Sequence, residues 1–232
     1  MPVKKITDFI SATFKKQGFT KGIIAISGGI DSAVSLTLAV KALGVKNIYT
    51  LQLPYKRQPL ELSNLIISQL NIPLNQRLII KLNREADKLA VKLNVKKNPL
   101  RFGNILARLR MICLYDQAKK LSALVIGTEN KSEKRLGYYT RYGDEAADIN
   151  PIAHLYKTEV IALAKELKLS DEIINQPPSA NLWPGQTDET ELGFTYAEAD
   201  KAFSGPKLAH PQVLKRLKQV EFKSKVPYSL AK

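Results

Sequence analysis

Short apolar runs alternate with longer segments of helical spacing along most of the chain. GIIAI (22–26), IYTLQL (48–53), RLIIKL (77–82) and ALVIG (123–127) have the length and β-branched content of buried strands. Between them, apolar positions recur at helical intervals over 31–43, 59–70, 83–93 and 103–121. That rhythm predicts an α/β fold, a doubly wound, mainly parallel sheet flanked by helices. Right-handed crossovers then place the carboxyl ends of the strands on one edge, where such sheets bind ligands. In the segment 103–121, Ile105, Leu106, Leu109, Ile112 and Cys113 form one apolar stripe. At the amino terminus, MPVKKITDFISATFKKQGF reads as an amphipathic helix with Ile6, Phe9, Ile10 and Phe14 on one face, not as a signal peptide.

The pattern changes beyond Pro151. Helices are expected at 158–167, 194–203 and 211–221, with a proline-rich stretch, QPPSANLWPGQTDE, among them. No linker composition separates these segments from the rest, so residues 1–232 read as one domain. Its sheet core spans about 22–160, and about 161–232 form a helical and flap appendage. Residues 127–150 are polar and glycine-bearing for too long to be a mere connection, which marks a functional loop.

Composition narrows the setting. At 232 residues the chain can bury a full apolar core without covalent staples. Its single cysteine, Cys113, excludes an internal disulfide and a cysteine-based zinc cluster, and the cytoplasm is the expected compartment. No run approaches a membrane span. Against 21 acidic residues stand 36 Lys and Arg, a formal charge of +15 that invites a nucleic acid, a membrane surface or a polyphosphate. The lysines are spread along the chain like a solvated surface, with 215–225 the densest stretch. Of the two histidines, His154 and His210, His154 is assigned no catalytic role.

Chemistry concentrates first in ISGGIDSA (26–33). A strand that enters Ser27, Gly28 and Gly29 and leaves into a helix near Asp31 turns free N–H groups and a positive helix end toward an anion. The glycines permit close backbone approach, and the hydroxyls of Ser27 and Ser32 add donors. A Walker loop needs a lysine after its last glycine and a dinucleotide fingerprint needs a third glycine, so this is neither. Asp31 would repel a polyphosphate unless Mg²⁺ bridged them; its other reading is a plain helix N-cap.

S-G-G-x-D-S after a strand resembles the pyrophosphatase loop of enzymes that split ATP into AMP and pyrophosphate. GTENKSEKRLGYYTRYGDEAADINPIAHLYKTEV (127–160), GNILARLRM (103–111) and PPSANLWPGQTDETELGFTY (177–196) narrow the resemblance to the NAD synthetases. The resemblance implies an adenine nucleotide alpha hydrolase-like fold. It also implies ATP-dependent amidation of deamido-NAD with ammonia through an acyl-adenylate, with Mg²⁺ required and a homodimer as the assembly. Ser27, Gly28, Gly29, Asp31, Ser32, Thr128, Lys157 and Ser179 match ATP positions, and Asp31 and Glu133 match the metal carboxylates. Arg108, Arg141 and Asp148 match positions that bind deamido-NAD. Charge stabilisation by Asp31 and Glu133 through the metal, and by Lys157, then replaces a protein nucleophile.

Departures from the family pattern are local. Phe222–Lys223 stands where a His-Lys pair is common, leaving Lys223 as the dinucleotide contact. Gln52 replaces a basic residue, which weakens an ATP contact or leaves it to Lys56 or Arg57, and Glu145 occupies a position usually small. Trp183 and PGQTDETE read as a flap, with Asp188 and Glu189 as polar contributors. The chain has no room for a glutaminase domain, so free ammonia is the expected nitrogen donor. The competing readings are a GMP synthetase-like ligase, which should lack the 127–160 block, and a basic nucleic-acid-binding protein; neither nucleic acid nor membrane is expected as a partner.

Overall fold

The computed structural model describes residues 2–179, 185–205 and 210–225. Among these, β1 (Lys21–Ala25), β2 (Ile48–Gln52), β3 (Arg77–Ile79) and β4 (Ala123–Val125) form one sheet in the order β3-β2-β1-β4. Every pairing is parallel. The chain builds outward from β1 to β2 and β3, then returns to add β4 on the other side of β1. A reversal of this kind opens a crevice at the carboxyl ends of the two strands on either side of it, here β1 and β4.

Alternation along the strands divides the core. Ile24 and Ile48 face one layer, shared with α1 (Pro2–Gln17), α2 (Ile30–Leu43) and α7 (Lys157–Glu166). Ile23, Leu51 and Val125 face the other, shared with α4 (Asn83–Lys92) and α5 (Pro99–Leu121). Helix α2 is buried along most of its length between sheet and helices, so its residues 33–39 are apolar or small nearly all round. A separate cluster of Leu136, Phe194, Tyr196, Ala199 and Val213 joins α6 (Lys131–Leu136), α10 (Tyr196–Ser204) and α11 (Pro211–Lys225). The remaining helices are α3 (Glu61–Gln69), α8 (Asp171–Ile174) and α9 (Asp188–Leu192).

Four expectations are corrected. Ile6, Ile10 and Phe14 are buried at four-residue intervals, but Phe9 lies on the flank of α1 and is 49% exposed. Helix α5 begins at Pro99 rather than 103, because the Asn98 side chain accepts from Arg101 N at 3.0 Å and proline suits the first helical position. On that helix Leu106 is buried while Ile112 is exposed, so the apolar stripe is narrower than its sequence spacing implies. The polar segment 127–150 contains the six-residue helix α6.

Candidate active site

Strand β1 delivers the chain to Ser27, Gly28 and Gly29, which turn into α2. Gly28 adopts φ +90°, and a Cβ there would lie 3.1 Å from Leu62 Cβ and Ser63 N, so a side chain would be both strained by the backbone and crowded by α3. Gly29 is the N-cap, and Asp31 occupies the first turn beyond it. Ser27 Oγ accepts from Gly29 N at 3.2 Å, and Ser32 Oγ donates to the Gly29 carbonyl at 2.8 Å. No side chain caps α2. The positive end of the helix therefore faces the crevice with N–H groups available to an anion.

The other wall comes from the far side of the switch point. After β4, Ile126 bridges to Ile149, and the chain reaches Thr128, half-buried, and Asn130, fully buried. Asn130 caps α6 by accepting from Glu133 N at 2.9 Å, while Glu133 Oε2 accepts from Asn130 N at 3.2 Å. The Asn130 amide then donates across the crevice to Asp31 Oδ1 at 2.8 Å. Lys157 opens α7; its ammonium donates to Asp31 Oδ2 and lies 3.4 Å from Glu133 Oε1. The Tyr196 ring centroid is 5.1 Å from Lys157 Nζ.

One ammonium thus serves two carboxylates. Burial alone would lower the Lys157 pKa, but Asp31 and Glu133 outweigh it and hold the group above its ordinary value. Burial, reinforced by the like charge of Asp31, raises the Glu133 carboxyl, with Lys157 opposing. Two hard oxygen donors flanking a cation suit Mg²⁺. Among the described residues no group of three or more His, Cys, Asp or Glu is placed to hold a metal. A magnesium ion here would take further ligands from phosphate and water, its usual habit with one or two protein carboxylates.

Exposed Arg108, on α5, donates through Nε and Nη2 to the Arg141 carbonyl at 3.2 and 3.1 Å, bringing those two residues together. Asp148 accepts from Val125 N at 2.7 Å, at the end of β4. Lys223 donates to the carbonyls of Gly137 and Tyr139 at 2.6 and 2.8 Å, and its neighbour Phe222 is 49% exposed. Ser179 Oγ donates to the Gln186 carbonyl at 2.7 Å, Asp188 accepts from Tyr196 OH at 3.0 Å, and Glu189 accepts from Tyr196 N at 2.9 Å. Trp183 lies outside the described residues. Gln52 is buried and donates to Ser63 Oγ at 2.6 Å and Asn64 Oδ1 at 2.9 Å, while Lys56 and Arg57 are exposed.

Two residues of this site were not anticipated. Asn130 joins both carboxylates, and its trace in the sequence is the N-x-x-E spacing of a capping box. Tyr196, beneath the lysine, carries no local signal, because its place depends on how α10 packs.

A family model described as NAD synthase matches residues 2–228. The NH(3)-dependent NAD(+) synthetase of Wolinella succinogenes is 40% identical, over 97% of this chain and 93% of that protein. That of Chlorobaculum tepidum is 42% identical, over 84% and 70%. Among solved structures, NMN synthetase from Francisella tularensis matches with a TM-score of 0.87 and 33% identity, covering 100% of this chain and 97% of that one. The NH3-dependent NAD synthetase from Campylobacter jejuni, in complex with nitrate, gives 0.82 and 32%, covering 99% and 97%.

Proposed function

The chain belongs to the NAD synthase family, with the adenine nucleotide alpha hydrolase-like fold, and on that premise we propose how its residues carry out the amidation. The enzyme is a C–N bond-forming ligase that converts deamido-NAD, ATP and ammonia to NAD, AMP and pyrophosphate. A nicotinate carboxylate oxygen attacks the α-phosphorus of ATP, and the bond to the pyrophosphate oxygen breaks. Ammonia then attacks the carbonyl carbon of the mixed anhydride, AMP leaves, and a proton is released.

The observation that carries this reading is the Lys157 ammonium held by Asp31 and Glu133 beside the uncapped start of α2. In-line attack by one anion on another needs positive charge that is fixed before the reaction. The α2 N–H groups and the hydroxyls of Ser27 and Ser32 bind and orient the phosphates, Gly28 and Gly29 let them approach, and Lys157 takes up charge on the leaving side. Thr128 and Ser179 complete the ATP contacts. Asp31 and Glu133 would hold Mg²⁺, which would supply charge neutralisation over the triphosphate. Arg108, Arg141, Asp148 and Lys223 receive the dinucleotide.

The active assembly is a homodimer, the commonest symmetric oligomer, in the cytoplasm. Among the described residues no helix is long and apolar enough to cross a membrane. Purified protein given MgATP, ammonium and nicotinic acid adenine dinucleotide should form NAD, AMP and pyrophosphate in equal amounts. Absence of any amide product would overturn the reading. Because one well-matched structure is an NMN synthetase, nicotinic acid mononucleotide is the second acceptor to assay; a kcat/KM higher for it than for the dinucleotide would move the assignment to the mononucleotide.

A further inference from the structure

Glu133 and Lys157 reach the site from the first turns of two different helices, and a single buried carboxylate on a third helix ties those turns together. Asp200, on α10, is 5% exposed. Its Oδ1 accepts from Ser132 Oγ, in the first turn of α6 and adjacent to Glu133. Its Oδ2 accepts from Thr158 N at 3.0 Å and Thr158 Oγ1 at 2.8 Å, in the first turn of α7 and adjacent to Lys157. The link closes on itself, because Ser132 Oγ accepts from Lys157 N at 2.9 Å. Helix α6 has only six residues and little stiffness of its own. The same α10 begins at Tyr196, whose ring lies beside the Lys157 ammonium.

We propose that Asp200 is the positioning residue for the amidation. By holding Ser132 and Thr158 together, it fixes the relative placement of Glu133 and Lys157, so that both meet Asp31 across the crevice. It touches neither substrate nor metal and acts through its neighbours. The region that looked like an appendage in the sequence thereby becomes part of the catalytic frame. This rests on the assignment of Glu133 and Lys157 to the ATP site.

Asp200→Asn keeps one acceptor oxygen and offers the amide to Ser132 Oγ, which can turn to accept it, so the fold should survive. Its kcat should fall about 10-fold with the acceptor KM changed less than about 2-fold, whereas Asp200→Ala should lose about 100-fold. A variant that only loses stability would instead show fewer active molecules of normal turnover once active sites are titrated. Introduced into Lys157→Met, Asp200→Asn should cost less than about 3-fold more, because both act through one lysine. A second readout is free of turnover: the rise in melting temperature on adding ATP with EDTA should shrink by about half in Asp200→Asn. Wild-type turnover with fully additive losses, or with an unchanged ATP-induced shift, would overturn the role of Asp200 alone. No turnover in the wild type would overturn the functional reading and this role with it.

Discussion

The two walls of the crevice are built on different principles. Residues 27–32 are consecutive: one strand, one glycine turn and one helix start place every group, and the local backbone suffices. The opposing wall is assembled from Asn130 capping one short helix, Glu133 in that helix's first turn and Lys157 on another helix, 24 residues beyond Glu133. Beyond its own capping box and the bond from Lys157 N to Ser132 Oγ, its shape depends on tertiary contacts from α10 and α11. Arg216 donates to the Leu136 carbonyl at 2.8 Å and Lys223 to that of Gly137 at 2.6 Å, so α11 clasps the carboxyl end of α6. The first wall is fixed by chain geometry, and the second by packing.

The sharpest way to break the comparison is to remove the lysine where the walls meet. Lys157→Met should lower kcat/KM about 1,000-fold. It should also cost about 3 kcal/mol of stability, by leaving Asp31 and Glu133 facing each other unpaired. Magnesium should then raise the melting temperature of the variant more than that of the wild type, since a divalent ion can replace the missing charge. Asp31→Asn, on the first wall, should lower kcat about 100-fold while the melting temperature stays near that of the wild type.

Glycine substitutions separate the walls. Gly28→Ala should cost about 2 kcal/mol from its φ of +90° and its approach to Leu62, and should raise the KM for ATP. At Gly137, φ is +57° and a Cβ would fall 2.6 Å from Val220 Cβ. Gly137→Ala should therefore displace α11, cost about 2 kcal/mol and act mainly on kcat through α6. Stability curves and steady-state kinetics on the two variants check this split.

A further expected effect is one of pH. Burial pushes the Glu129 carboxyl up to about 7, with Lys134 opposing. An unfolded glutamate titrates at about 4.3, so between about pH 4.5 and 7 the folded state binds the extra proton. Stability should fall as pH rises through that window and then level off. Glu129→Gln should remove this component of the slope, so that the variant gains on the wild type in melting temperature as pH rises from 5 to 8.

Much of the first wall was legible in the sequence because its signals are local. The apolar run before Ser27, the glycine pair and the helical spacing after Asp31 each follow from backbone chemistry within a few residues. Sequence alone leaves Asp31 open between N-cap and ligand, and in the structure Gly29, not Asp31, is the cap. The second wall was legible only through resemblance to a family, since Glu133 and Lys157 look like surface charges by themselves. Asp200 and Tyr196 were invisible in the same way, as were the partners of Lys223. Phe9 and Ile112 show the converse limit: helical spacing tells which residues share a face, but not how far a neighbouring layer extends over it.

The most direct test of the account is anomalous scattering from a crystal grown with Mn²⁺ and a non-hydrolysable ATP analogue. A manganese peak liganded by Asp31 and Glu133, with the phosphates at the start of α2 and the Lys157 ammonium turned toward them, is the predicted result. Phosphates bound elsewhere, or a metal held without Asp31 and Glu133 while Lys157 keeps its present ion pairs, would contradict it.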